Sequence, residues 1–123
     1  MLNNSNTIQD RTKKFAIRVI NAYTKITKID HYDDAVRVLS KQFLRSGTSI
    51  GANCAEAISA QSRKDFINKY EIALKEARET QYWIEIMIEA EIVKREKFAL
   101  LLQEIDFIIR TLVTIIKSLK SDP

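Results

Sequence analysis

A chain of 123 residues, 46% apolar and 29% charged, is long enough to bury one hydrophobic core and has the balance of a soluble globular domain. Two glycines and a single proline, the last residue, exclude a turn-rich β fold and require long helices with short connections. A net charge of +4 permits nucleic-acid binding without demanding it, and the one cysteine, Cys54, excludes an internal disulfide, as expected in a reducing cytoplasm.

The opening "MLNNSNTIQD" is polar and does not resemble a signal peptide, so a cytoplasmic protein is expected, with the termini "MLNNSN" and "SDP" frayed. A first helix is predicted over about residues 7–28. Ile8, Thr12, Phe15, Val19, Ala22, Ile26 and Ile29 recur in steps of four and three, one stripe for packing against neighbours. Beside that stripe, Arg11, Lys14, Arg18, Lys25 and Lys28 project from one side, Lys13 adds charge, and Asp10 is the only acid over the same span. Such a row either is an ordinary solvated face or tracks a phosphate backbone with steep salt dependence. Ile17 and Ile20 lie off the inner stripe and suggest a second contact surface.

The segment "DHYDDA" breaks the pattern, with Asp33 or Asp34 as N-cap of a second helix over about 35–60. Val36, Leu39, Phe43, Ile50, Cys54 and Ala57 form its inner face. Both glycines, Gly47 and Gly51, fall one turn apart in its interior, where each costs about 1 kcal/mol against alanine. Together with Ala55, and widened by Ser46, Ser49 and Ala52, they make a smooth strip for the close approach of another helix, in the bundle or between subunits, rather than a ligand site.

Ser62, with Asp65 three residues on, resembles a capping box and opens a third helix over about 63–90, with Phe66, Tyr70, Ala73, Ala77, Ile84 and Met87 or Ile88 inward. A break near Glu91 to Lys94 has neither glycine nor proline to mark it. A fourth helix follows over about 95–120. Its apolar run, Phe98 to Leu119, is interrupted by Glu104, Asp106 and Arg110 and is therefore an amphipathic helix, not a membrane span. Phe98, Leu102, Ile105, Ile109, Leu112, Ile116 and Leu119 make one stripe; Leu101, Ile108 and Ile115 make a second beside it. The second stripe is either extra burial within one chain or a subunit interface, and Ile17 and Ile20 favour the interface. Residues 1–123 are read as one all-α domain, an up-down-up-down antiparallel four-helix bundle.

Little in the chain suggests catalysis. No Glu-x-x-His pair exists, which leaves no di-iron site, and no metal or cofactor is expected. His31, the one histidine, is expected to be a solvated or capping loop residue, and Cys54 a core residue with no base beside it. Gly47-x-x-x-Gly51 lacks the lysine and hydroxyl of a phosphate-binding loop. Asn53, Glu56, Glu76, Glu79 and Thr80 near apolar faces read as hydrogen-bonding residues that fix register, and Tyr82 and Trp83 as packing residues. Only a polar pocket around Glu56 and Glu76 would argue for an enzyme.

At "LRSGTSIGANCAEA", followed by "QSRKDFINKYEIALKEARETQYWIEI", the chain resembles the small four-helix-bundle proteins encoded in intervening sequences of bacterial 23S ribosomal RNA genes, a family labelled ribosomal-protein-like. The resemblance runs over nearly the whole chain and is most specific at Arg45 to Ala57 and Ala73 to Trp83. It implies a ring-like homopentamer. It also connects the chain to the accessory variability protein of diversity-generating retroelements, a basic pentamer that binds nucleic acid and its reverse transcriptase. The family supplies no catalytic residues to carry over, and Cys54 stands where it would place an aliphatic residue such as isoleucine. The expectation is a non-enzymatic, cytoplasmic homo-oligomer that binds RNA or DNA without sequence preference, through Arg11, Lys14, Arg18 and Lys25. The alternative is a protein–protein scaffold with no nucleic-acid role, its partner a protein such as a reverse transcriptase.

Overall fold

The computed structural model describes residues 7–30 and 33–121, and all regular structure among them is helical. The helices are α1 (Ile8–Asp30), α2 (Asp34–Ala57), α3 (Arg63–Glu89) and α4 (Arg95–Ser121). Each packs against its neighbour in sequence and α4 returns to α1, which gives an antiparallel up-down-up-down four-helix bundle. The expectations for His31, for the Ile29 side chain and for fraying at residues 1–6 and 122–123 lie outside the described residues, while Ser121, expected to fray, is the last residue of α4.

The helix starts follow local chemistry. Asp33, in extended backbone, caps α2 by accepting from the Ala35 and Val36 amides at 2.9 and 3.2 Å. Ser62 caps α3 by accepting from the Asp65 amide at 3.0 Å, and Asp65 Oδ2 in turn accepts from the Gln61 amide. The end of α2 comes at Ala57, three residues before the position expected from periodicity, through a short series of tighter turns at Ile58 to Ala60. After α3 the chain turns at Glu91, whose φ of 61° is left-handed. The Ile92 amide donates to the Met87 carbonyl at 2.9 Å and the Glu91 amide to the Ile88 carbonyl at 3.0 Å, the two bonds of a Schellman motif built without glycine.

Phe15, Val19, Phe43, Ile50, Cys54, Ala73, Ala77, Ile84, Met87, Ile105 and Leu112 are wholly buried and form the centre of the core. Leu101 and Ile108, read from the sequence as surplus apolar surface for a subunit interface, are 5% and 2% exposed in a single chain. That reading is corrected. The inner face of α4 takes in part of the second stripe: Leu101, Ile105, Ile108 and Leu112 are buried in the core, while Leu102 and Leu119 are only half-buried at its edge. Ile115 is also half-buried and packs on the core. The buried stripe is wider than the one the periodicity singled out because α4 packs against α3 on one side and α1 on the other.

Among the described residues no helix is long and apolar enough to cross a membrane.

Candidate nucleic-acid interface

Helix α1 has two different neighbours, and its residues divide between them. Toward α2 it presents Thr12 and Val19. A Cβ built on Gly47 would lie 2.9 Å from the Val19 methyls, and one on Gly51 would lie 3.1 Å from the Thr12 carbonyl oxygen. The two glycines therefore let the α1 backbone and a branched side chain come closer than any other residue would allow.

Toward α4, α1 presents cations. Arg11, Lys14 and Arg18 line one wall of a groove of about 310 Å³, and Leu100, Gln103, Glu104, Phe107 and Ile108 of α4 line the other. Arg18 Nε donates to Glu104 Oε2 at 2.9 Å across the groove. The Arg11 guanidinium carbon lies 4.3 Å from the centroid of the Phe107 ring, a cation–π contact. Lys14 and Arg18 are exposed, and so is Lys25, two turns beyond Arg18 and outside the groove. From Arg11 to Ile29, α1 carries no acidic residue, and Glu104 is the one acid that lines the groove. Ile17 and Ile20 are 49% and 45% exposed and belong to neither contact. Of the residues singled out in the sequence, the structure thus brings Arg11, Lys14 and Arg18 to one site and leaves Lys25, Ile17 and Ile20 on the open face of α1.

Leu100, Glu104 and Phe107 were not picked out as site residues. Their spacing of four and three is a helical stripe in its own right, and an aromatic placed outside both apolar stripes of α4 was the available signal.

The α2–α3 face holds the remaining polar cluster. Arg45 Nη2 pairs with Glu79 Oε2 at 2.6 Å, Arg45 Nη1 stands 3.6 Å from Glu76 Oε1, and the Trp83 indole N–H donates to Glu79 Oε2 at 3.1 Å. The hydroxyls of Thr80 and Ser46 share a buried hydrogen bond of 2.9 Å. Lys69 Nζ donates to Glu56 Oε1 at 2.9 Å, and that bond with the Glu56 charge raises the Lys69 pKa. Glu56 and Glu76 have different basic partners, Lys69 and Arg45, and neither lines the α1–α4 groove. Trp83 is half-buried against the core, but Tyr82, expected to pack, is 55% exposed and meets Trp83 edge-on at 5.3 Å.

Cys54 is wholly buried, and desolvation pushes its thiol up to about 11, partly offset by a hydrogen bond with Thr12. A thiol with that pKa stays protonated near neutral pH and is a poor nucleophile. Gln9 Nε2 ties this region together by donating to the Cys54 carbonyl at 3.1 Å and to the Tyr70 hydroxyl at 2.9 Å, which links α1, α2 and α3.

None of the curated proteins compared with the chain matches it. A solved structure of a protein of unknown function from the S23 ribosomal protein family of Bacteroides thetaiotaomicron is similar to it. The two are 47% identical with a TM-score of 0.81, over 90% of this chain and 99% of that one. The sequence profile of the 23S rRNA-intervening sequence protein family matches residues 4–114, covering all of α1, α2 and α3 and most of α4. The chain belongs to the 23S rRNA-intervening sequence protein family.

Proposed function

We propose that this protein is a non-catalytic, homo-oligomeric helical bundle that binds nucleic acid, RNA first, as an accessory or scaffold. The observation that carries the reading is the face of α1: Lys14, Arg18 and Lys25 are exposed along one side of a helix that has no acid between Arg11 and Ile29. Cations spaced along some 15 Å or more of one helix reach successive phosphates, and counterion release then supplies the affinity. Nothing on that face has the geometry of groove readout, so the phosphate contacts are indifferent to sequence. Exposed Ile17 and Ile20 support assembly into an oligomer, with a pentamer the subunit count carried by the resemblance. In a ring each cationic face is repeated, and weak single contacts add through effective concentration.

The test is a salt titration of RNA binding by fluorescence anisotropy, with wild type and the triple variant Lys14→Gln/Arg18→Gln/Lys25→Gln. The variant is expected to bind more weakly and to flatten the slope of log K against log[salt] by about 0.7 per lost contact on a single strand, or about 2 in all. Binding that ignores salt, an unaltered triple variant, or no binding at all would overturn the phosphate reading in favour of a protein partner. Light scattering tests the assembly: a particle at the 14.2 kDa of one chain would overturn it.

A further inference from the structure

Exposed apolar side chains also mark two helices that share no seam, α1 and α3. Ile17 and Ile20 stand on the outer face of α1, and Tyr82 stands on the outer face of α3. Exposed Val38 and half-buried Ile86 join Tyr82: the Arg45–Glu79 pair ties antiparallel α2 and α3, and Val38 lies about two turns before Arg45 as Ile86 lies about two turns past Glu79. The two patches carry opposite charge. Exposed Lys13 and Lys28 bracket Ile17 and Ile20 on a helix with no acid from Arg11 to Ile29. From Glu79 to Val93 there is no Lys or Arg, and exposed Glu85 and Glu89 follow Tyr82 on the same face. Neither of these two acids has a cationic partner among the described residues, and at i,i+4 spacing they repel one another, which a cation from outside would relieve.

We infer that the outer face of α1 docks on the outer face of α3 in a second copy of this chain, Ile20 against Tyr82 and Lys28 toward Glu89. The inference rests on the homo-oligomer reading and names its two contact surfaces. Their heights along the bundle match. Helices α1 and α3 run in the same direction, and the hydrogen bond from Gln9 to Tyr70 levels residues 61 apart. Lys28 and Glu89 keep that spacing of 61, and Ile20 and Tyr82 depart from it by one. A rotation axis parallel to the bundle therefore brings the lysine to the carboxylate and the isoleucine to the ring. Because the two surfaces differ, the contact is heterologous, and each copy offers both. Both also lean toward α2: Ile20 lies about 80° round α1 from Thr12 and about 180° from Arg11, and Val38 is on α2 itself. Successive copies then turn the same way, which closes a ring with α2 inward and leaves the α1–α4 groove, with Lys14 and Arg18, on the outside.

The experiment is light scattering of wild type and two double variants, Ile17→Gln/Ile20→Gln and Val38→Gln/Tyr82→Gln, each alone and mixed in equal amounts. Wild type is expected well above the 14.2 kDa of one chain, each variant alone at that mass, and the mixture at twice it, because one variant keeps a working α3 face and the other a working α1 face. A charge swap tests the same contact without loss of apolar surface: Lys28→Glu weakens assembly about fivefold, the worth of one exposed ion pair at most, and adding Glu89→Lys restores it. An oligomer that only the α1 variant dissociates would overturn the pairing in favour of α1 on α1. One that neither variant dissociates, or a mixture that stays at one chain's mass, would overturn it as well. In each of these cases an oligomeric wild type leaves the homo-oligomer reading standing. A wild type at the mass of one chain would overturn both.

Discussion

The two seams of α1 are built from opposite materials. On the α2 side, Gly47 and Gly51 remove side chains so that Val19 and the Thr12 backbone can settle against them, and little apart from the two helices themselves is found there. On the α4 side, large side chains hold the helices apart, contact is the sparsest of the four helix pairs, and the gap is lined by Arg11, Lys14, Arg18, Glu104 and Phe107. A buried seam of small residues gains stability from close packing and tolerates no additions. An open seam of charged and aromatic residues contributes little to folding, so its composition is free to serve a ligand. The same helix therefore carries structure on one edge and the candidate site on the other.

That contrast is sharpest at two adjacent residues of α4. Ile108 closes the core beneath the groove at 2% exposure, and Phe107 stands in the groove at 46%. Ile108→Ala is expected to cost about 2–5 kcal/mol, the usual range for truncating a buried isoleucine to alanine. Phe107→Ala, although it removes a larger side chain, is expected to change stability by only about 0.5–1 kcal/mol, since much of its surface is already wet and the Arg11 contact is near solvent. Urea denaturation of the two variants checks this directly. Equal losses would mean that the α4 seam is part of the core, and the distinction between the seams would fail.

The α2 seam makes the complementary prediction. Gly47→Ala gains about 1 kcal/mol of helix propensity, but it places a methyl 2.9 Å from the Val19 methyls, and overpacking of this kind costs about 1–3 kcal/mol. A net loss of about 1 kcal/mol is expected in the wild-type background. In Val19→Ala the obstructing methyls are gone, and the same glycine substitution becomes neutral or stabilising there. A double-mutant cycle of thermal or urea midpoints reads the coupling. Strict additivity would show that the close approach is incidental to packing.

How much of this was legible in the sequence depended on which physical signal each feature leaves. The inner stripe of α1 was written in its apolar spacing, because a helix at the wall of a bundle buries one face, and Ile8, Thr12, Phe15, Val19 and Ile26 are buried as that spacing requires, with Ala22 half-buried. The cap at Ser62, and the one read as Asp33 or Asp34 that falls to Asp33, were legible for the same reason: an orphan amide calls for a particular side chain within a few residues. The cationic row was legible as a row, but its meeting with Phe107 and Glu104 was not, since residues about ninety positions apart come together only through the bundle's closure. Leu101 and Ile108 were misjudged because two parallel stripes on one helix look alike whether the second meets a neighbouring helix or another subunit. The rotation of α4 about its axis decides between them, and no local pattern encodes it.

The smallest effect concerns where the two glycines are not. The one left-handed residue among those described, Glu91, closes α3 at φ 61°, a conformation that costs an L side chain about 1–2 kcal/mol and that glycine adopts freely. The break was faint in the sequence because its usual marker was missing. The turn holds nonetheless, because the Ile92 and Glu91 amides satisfy the Met87 and Ile88 carbonyls while Ile92 packs back on the core. Glu91→Gly keeps both hydrogen bonds and removes the backbone strain, and glycine's greater freedom in the unfolded chain cancels part of the gain. A net stabilisation of about 0.5–1 kcal/mol is expected, read as a higher urea midpoint at unchanged slope. Gly47 and Gly51 sit inside a helix, where glycine is unfavourable, while the left-handed turn that glycine would suit is held by Glu91, so a rise at residue 91 beside a fall at Gly47→Ala would locate the demand for glycine in the packing of α1 on α2 and not in the turns.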